Sequence, residues 1–127
     1  MSKGEDKIVR LLNSARVRYE REVSVQKLNG KKGVPLRYDF GIYQNGKLVI
    51  LIEFDGEQHF KAINFFGGEE GLQENQKRDK IKNEFCLKNS ITLYRIPYWE
   101  ENKLNIILTE IFKEKSSTTI EKYKVIE

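Results

Sequence analysis

The sequence predicts an α/β chain of the α+β kind, a mixed β-sheet of about four strands flanked by helices. Three observations carry that prediction. The chain has 127 residues, enough for one domain with one sizeable core. Stretches with two-residue alternation and stretches with apolar residues at helical spacing interleave along it. At its centre, Leu48-Val49-Ile50-Leu51-Ile52 is an unbroken apolar run with the character of a buried strand, and Asn45-Gly46 just before it is a hairpin signal. The domain is expected over 1–114, with 115–127, bearing Ser, Thr and alternating charge, as a loosely attached tail.

Taken in order, residues 4–16 read as a helix, with Ile8, Val9 and Leu12 at helical spacing and Lys7, Arg10 and Asn13 on other faces. Glu5 falls on the apolar stripe, although an acid in the first turn also simply suits the helix dipole. Residues 19–25 alternate as an edge or half-exposed strand. The Lys- and Gly-rich segment 26–35 is a loop, and Lys31 and Lys32 in it are candidates for gripping phosphates. Residues 36–43 form the next strand, with Leu36, Tyr38, Phe40 and Ile42 on one face and Arg37, Asp39, Gly41 and Tyr43 on the other. The apolar run follows and ends in Glu53-Phe54-Asp55-Gly56. Residues 60–68, with Lys61, are an aromatic-rich connection, either a lid or nucleic-acid-facing loop or a loop whose Phe side chains plug the core, the plug being favoured for most of them. Residues 70–89 read as the longest helix, where Asp79, Lys82 and Cys86 share a stripe that points Asp79 toward the sheet. A strand over 91–96 is closed by Pro97, and 102–113 is an amphipathic helix with Leu104, Ile107, Leu108, Ile111 and Phe112 inward.

Composition excludes several classes of function. A chain that is 39% hydrophobic and 33% charged folds rather than staying disordered. Its net charge of +4 is a modest basic excess, compatible with a polyanionic partner. With Cys86 as the only Cys there is no internal disulfide and no multi-Cys zinc site, which points to an intracellular setting. No stretch approaches the ~18 apolar residues of a membrane span, so no membrane partner is expected. There is no Gly-rich phosphate loop closed by Lys-Ser/Thr, no nucleophile-elbow pattern and no second His for a two-His zinc motif.

A buried strand that ends in carboxylates is the informative feature, because ionised acids in apolar surroundings need a basic partner, a proton or a metal ion. The candidates are Glu5, Asp39, Glu53, Asp55, Asp79 and His59, the last being the only His. Asp, Glu and His together suit a hard cation, Mg²⁺ or Mn²⁺. Phosphodiester hydrolysis is the chemistry such a set fits best, with the lone His moving a proton. Each residue also has a structural reading: Asp55-Gly56 as a turn, His59 as a satisfied structural His, and Glu53 as the partner of Arg37.

The hairpin register decides whether these acids meet. A two-residue Asn45-Gly46 loop alone would put Asp39 opposite Ile52, on the other face from Glu53 and Asp55. A three-residue loop, Gln44-Asn45-Gly46, or an equivalent bulge, returns Asp39 to the same face as Glu53. The three-residue loop, or an equivalent bulge, is expected, because it gathers the three acids on one face.

Asp39 on a strand, a hairpin, then Glu53-Phe54-Asp55 closing the next strand resembles the PD-(D/E)XK nuclease core, a restriction-endonuclease-like fold. More narrowly, the chain resembles the branch containing the Vsr-like very short patch repair endonucleases and the EDxHD homing endonucleases. The matching pieces are Arg37-Tyr38-Asp39-Phe40, Ile52-Glu53-Phe54-Asp55-Gly56-Glu57-Gln58-His59-Phe60, Phe66-Gly67-Gly68-Glu69-Glu70-Gly71, Asp79-Lys80-Ile81-Lys82-Asn83-Glu84-Phe85-Cys86 and Arg95-Ile96-Pro97-Tyr98. The resemblance covers roughly residues 4–112. The resemblance implies a DNA endonuclease dependent on Mg²⁺ or Mn²⁺, of homing or mismatch/site-specific nicking type, acting on double-stranded DNA. It implies Asp39 as central metal ligand, Glu53 or a neighbouring carbonyl completing the shell with Asp55 as a further metal candidate, and His59 as general acid or base. Glu5 would hold a metal-bound water, and Asp79 would orient His59. Asp55 stands where many of these nucleases have a Lys, and His59 is read as its replacement. The structural zinc of the repair enzymes is not expected here.

DNA contact is expected from Lys31, Lys32, Arg37 and Lys61. No zinc finger, helix-turn-helix or RNA module is recognisable. Base reading therefore falls to the 26–35 and 60–71 loops, a homodimer, or a DNA-reading domain elsewhere. The implied setting is a bacterial cytoplasm, with a phage or mobile element as the source. The competing expectation is a nuclease-like module that binds nucleic acid without cutting it.

Overall fold

The computed structural model describes residues 2–25, 35–56, 68–115 and 124–125. Helix α1 (Lys3–Ala15) starts at Ser2, whose side-chain oxygen accepts the Glu5 N–H at 3.1 Å, satisfying one of the orphan donors of the first turn. It stops at Arg16, which takes a left-handed conformation and returns its N–H to the Asn13 carbonyl. Gly4, Ile8 and Leu12 form its buried side.

Strands β1 (Tyr19–Val25), β2 (Leu36–Gln44) and β3 (Lys47–Asp55) form an antiparallel meander. Helix α2 (Gly68–Lys88) then crosses to β4 (Thr92–Pro97), which lies parallel to β3. A 3-10 segment, Tyr98–Lys103, leads into α3 (Leu104–Lys115), so the regular helix begins later than the 102 expected. A two-residue β5 (Lys124–Val125) adds to β4 in parallel, giving the sheet order β1-β2-β3-β4-β5. The α+β class with a mixed sheet is thus observed. The segment expected as a loose tail returns to the sheet through β5, because β4 would otherwise offer an unpaired backbone edge.

The core falls into two clusters on opposite sides of the sheet. One packs Ile8 and Leu12 of α1 and Leu104, Ile107, Leu108 and Ile111 of α3 against Phe40, Ile42, Ile50, Ile52, Phe54, Tyr94 and Ile96. The other, under α2, joins Val23, Leu36, Tyr38, Leu51, Cys86, Ile91 and Leu93. Among the described residues no helix is long and apolar enough to cross a membrane.

Two irregularities position the acids. The β2–β3 turn is the two-residue Asn45-Gly46 loop, with φ 53 and φ 76, and not the three-residue loop. Parity is restored instead by a bulge. Tyr43 pairs with Leu48 and Ile42 with Ile50, leaving Val49 as the extra residue on β3. Extending the register one step past Phe40↔Ile52 puts Asp39 level with Glu53 itself, where the three-residue loop would have made Glu53 only a diagonal neighbour.

The second irregularity corrects the expected faces of β2. Leu36, Tyr38, Phe40 and Ile42 do not share one face: the first two pack under α2 and the last two under α1 and α3. The strand turns over at Asp39. On β1, between the pairs Arg21↔Phe40 and Val23↔Tyr38, Glu22 has φ 49, a left-handed conformation unusual for a side chain of this size. Such a residue flips the strand locally without changing its register. Alternation alone could not predict this, since it assumes every residue extended.

Candidate active site

Asp39 lies where β2 and β3 part. Its Oδ2 accepts the Phe54 N–H at 2.7 Å, so its carboxylate bridges the strands one step beyond their last paired residues. Glu53, next to Phe54, is buried and points under α2, where its Oε1 accepts a hydrogen bond from Lys82 Nζ at 2.8 Å. Burial and the charge of Asp39 push the Glu53 carboxyl up to about 7, while the Lys82 ammonium opposes that rise. The sheet has thus set two acids close together in apolar surroundings.

Glu5 reaches the same place from the other layer. A Cβ on Gly4 would lie 2.3 Å from Phe54 Cζ, so only glycine allows α1 to press its first turn onto the Phe54 ring. That seating carries Glu5 toward Asp39. Burial and the Asp39 charge both raise the Glu5 carboxyl, and Arg21, 3.6 Å away on β1, works against them. Asp39 is therefore the shared neighbour of Glu5 and Glu53.

Asp55 and Asp79 both meet Arg95. Arg95, buried on β4, sets Nη1 3.3 Å from both Asp55 oxygens and 3.3 Å from Asp79 Oδ1. It also donates from Nη2 to the Asp79 carbonyl and from Nε to Asn83 Oδ1. Asp55 is thereby ion-paired, and Asp79 helps fasten α2 onto β4. Glu53 pairs with Lys82 and not with Arg37, which is exposed on β2. His59, Lys31, Lys32 and Lys61 lie outside the described residues.

Lys82 and Arg95 are the residues whose roles sequence reading missed. Lys82 stood in the same helical stripe as Asp79 and Cys86, which was the available signal. Arg95 interrupts an otherwise apolar strand, and a charge buried in such a strand needs partners. Beneath Lys82 lies Tyr38, whose hydroxyl donates to the Lys82 carbonyl at 3.0 Å and whose ring centroid is 5.3 Å from Nζ. Burial raises the Tyr38 hydroxyl and pushes the Cys86 thiol up to about 11, so neither is a nucleophile at neutral pH.

Among the described residues, no group of three or more His, Cys, Asp or Glu side chains is arranged to hold a metal ion. The donors present fit a divalent cation in a more limited sense. Asp39 and Glu53 are two neighbouring oxygen-donor acids whose repulsion a positive ion would relieve, and hard oxygen donors are what Mg²⁺ and Mn²⁺ take.

No family model matches the chain, and no solved structure matches it significantly. A stretch of 53 residues is 38% identical to "Uncharacterized protein 307L" of Invertebrate iridescent virus 6, covering 41% of this chain and 27% of that protein. The aligned part is thus about a quarter of the viral protein's length, and its name states no activity.

Proposed function

We propose that the chain is a metal-dependent DNA endonuclease that hydrolyses phosphodiester bonds, of homing or site-specific nicking type. The observation that carries this reading is the meeting of Asp39 and Glu53 at the point where β2 and β3 part, with Glu5 brought beside Asp39 by α1. The Asp39 charge raises the proton affinity of both Glu5 and Glu53, an arrangement that stability alone does not favour.

Asp39 and Glu53 would hold Mg²⁺ or Mn²⁺. When bound, the ion would polarise a phosphoryl oxygen and acidify a water. The Phe54 N–H fixes the Asp39 carboxylate, and Lys82 fixes that of Glu53. Glu5, with its carboxyl raised, is suited to hold a proton or accept a hydrogen bond from water. Proton transfer is assigned to His59 on sequence grounds. Exposed Arg37, with Lys31, Lys32 and Lys61, is assigned to the DNA backbone.

The test is incubation with supercoiled plasmid in Mg²⁺, Mn²⁺ or EDTA. Nicked or linear product is expected with either cation and none in EDTA. Asp39→Ala should abolish cutting while DNA retention in a gel shift persists. His59→Ala should slow it about 10²- to 10⁴-fold, the range of one general acid or base.

A second reading has its own support. Lys82 and Arg95 already neutralise Glu53 and Asp55, as a non-cleaving nucleic-acid-binding module would require. A folded protein that binds DNA but never nicks it under either cation would establish that reading in place of the first.

A further inference from the structure

We propose that Lys82 is a built-in counter-cation, its ammonium holding the place of a divalent ion at Glu53, so that metal entry and the Glu53–Lys82 pair exclude each other. This rests on the metal-dependent reading above and adds to it how the site is kept intact before metal arrives.

Four observations lead to it. The Lys82 ammonium is 2.8 Å from Glu53 Oε1, and the two side chains are only 11% and 6% exposed, so water contributes little to screening either charge. The neighbouring acid, Asp39, bears on the same carboxylate, and a buried carboxylate beside a second acid requires positive charge nearby. The other cation buried on this side among the described residues, Arg95, is occupied by Asp55, Asp79 and Asn83, while Lys82 faces Glu53. Finally, the Lys82 backbone is tied to the sheet through the Tyr38 hydroxyl. The head group can therefore change partners while helix α2 stays where it is.

An ammonium and a divalent ion on one buried carboxylate repel each other. A cation that takes Glu53 must displace the lysine head group, whose aliphatic stem then remains over the Tyr38 ring. Lys82 thus lowers the apparent metal affinity while protecting the metal-free fold. A purely structural lysine would do the reverse, because its loss would loosen the site and weaken metal binding.

The experiment titrates Mn²⁺ into the whole chain at pH 8 by calorimetry and by thermal shift, comparing wild type with Lys82→Met, Lys82→Arg and Glu53→Gln. Lys82→Met keeps the stem and removes the charge. It should bind Mn²⁺ at least about tenfold more tightly, given the coupling typical of close charge pairs, and gain more thermal stability from the ion. Lys82→Arg should bind no more tightly than wild type, and in a Glu53→Gln background the Lys82→Met gain should vanish. If Lys82→Met is unfolded in EDTA, Mn²⁺ should restore its fold, and failure at any Mn²⁺ concentration overturns the proposal. Equal or weaker Mn²⁺ binding by Lys82→Met overturns the proposal alone. Absence of Mn²⁺ binding in wild type and every Lys82 variant overturns the metal-dependent reading with it.

Discussion

The two sides of the sheet are held by different forces. Helices α1 and α3 cover one side with an apolar cluster that buries Ile8, Leu12, Leu104, Leu108 and Ile111 almost completely. Helix α2 is the longest in the chain, yet among its described side chains only Lys82 and Cys86 are buried. It rests Cys86, Ile81 and Phe85 on the second apolar cluster and adds polar ties: Lys82 to Glu53, Arg95 to Asp79 and Asn83, and the Tyr38 hydroxyl to the Lys82 carbonyl. Apolar contact is non-directional and tolerates small shifts, whereas a buried ion pair fails sharply when one member is lost. One side therefore rests mainly on apolar burial, while the other adds buried charges held in fixed places.

The largest expected effect tests the polar side. Arg95→Met leaves Asp55 and Asp79 without their shared cation and should cost about 3–5 kcal/mol in urea unfolding, as breaking buried ion pairs does. Amide exchange should speed first in α2 while α1 and α3 stay protected. Equal loss of protection on both sides would erase the contrast. Leu108→Ala on the apolar side should cost about 2–4 kcal/mol from lost burial and the cavity left behind, with protection falling throughout the sheet.

A smaller effect is expected at the joint between layers. Gly4→Ala sets a methyl against the Phe54 ring and should cost about 1–3 kcal/mol by overpacking. It should also lower the proposed nuclease activity, because α1 carries Glu5. Normal activity with lowered stability would separate the helix's packing from the site.

Smaller again is a pH effect confined to the polar side. The folded Glu53 carboxyl is raised to about 7 by burial and by Asp39, above its ordinary value of 4.5. Between these values the folded protein holds a proton that the unfolded chain has released. Glu53's contribution to stability is therefore full below about 4.5 and declines as pH rises through 7. In EDTA, thermal melts from pH 5 to 8 should show this decline, and Glu53→Gln should flatten it. The smallest effect is Glu22→Gly, which relieves the left-handed φ of 49 and should stabilise by about 1 kcal/mol if no side-chain contact is lost.

The apolar side was the more legible in sequence for the same physical reason. Ile8 and Leu12 announce α1 and Leu104, Ile107, Leu108 and Ile111 announce α3, because a buried apolar stripe leaves a period in the sequence. β1 was placed over its observed residues, and the Asn45-Gly46 hairpin was recognised as a turn. The need for matched parity at Asp39 and Glu53 was also legible, but the Val49 bulge that satisfies it has no residue signature. The turnover at Asp39 depends on Glu22 adopting a conformation its residue type disfavours. The partners of Glu53 and Asp55 were hidden because ion pairs are made in space: Lys82 and Arg95 follow them by 29 and 40 residues. Asp79's place toward the sheet was read correctly; its ion pair with Arg95 was not foreseen, and His59, which it was expected to orient, lies outside the described residues.

The short return of β5 has a consequence for association between molecules. Lys124 and Val125 cap the outer margin of β4, whose residues from Thr92 to Pro97 are all buried. A chain cut after Lys115 would bare that margin as a row of unsatisfied amides and carbonyls beside an apolar strand, an adhesive template for a second copy. Such a truncation should sediment as dimers or larger species at concentrations where the intact protein stays monodisperse.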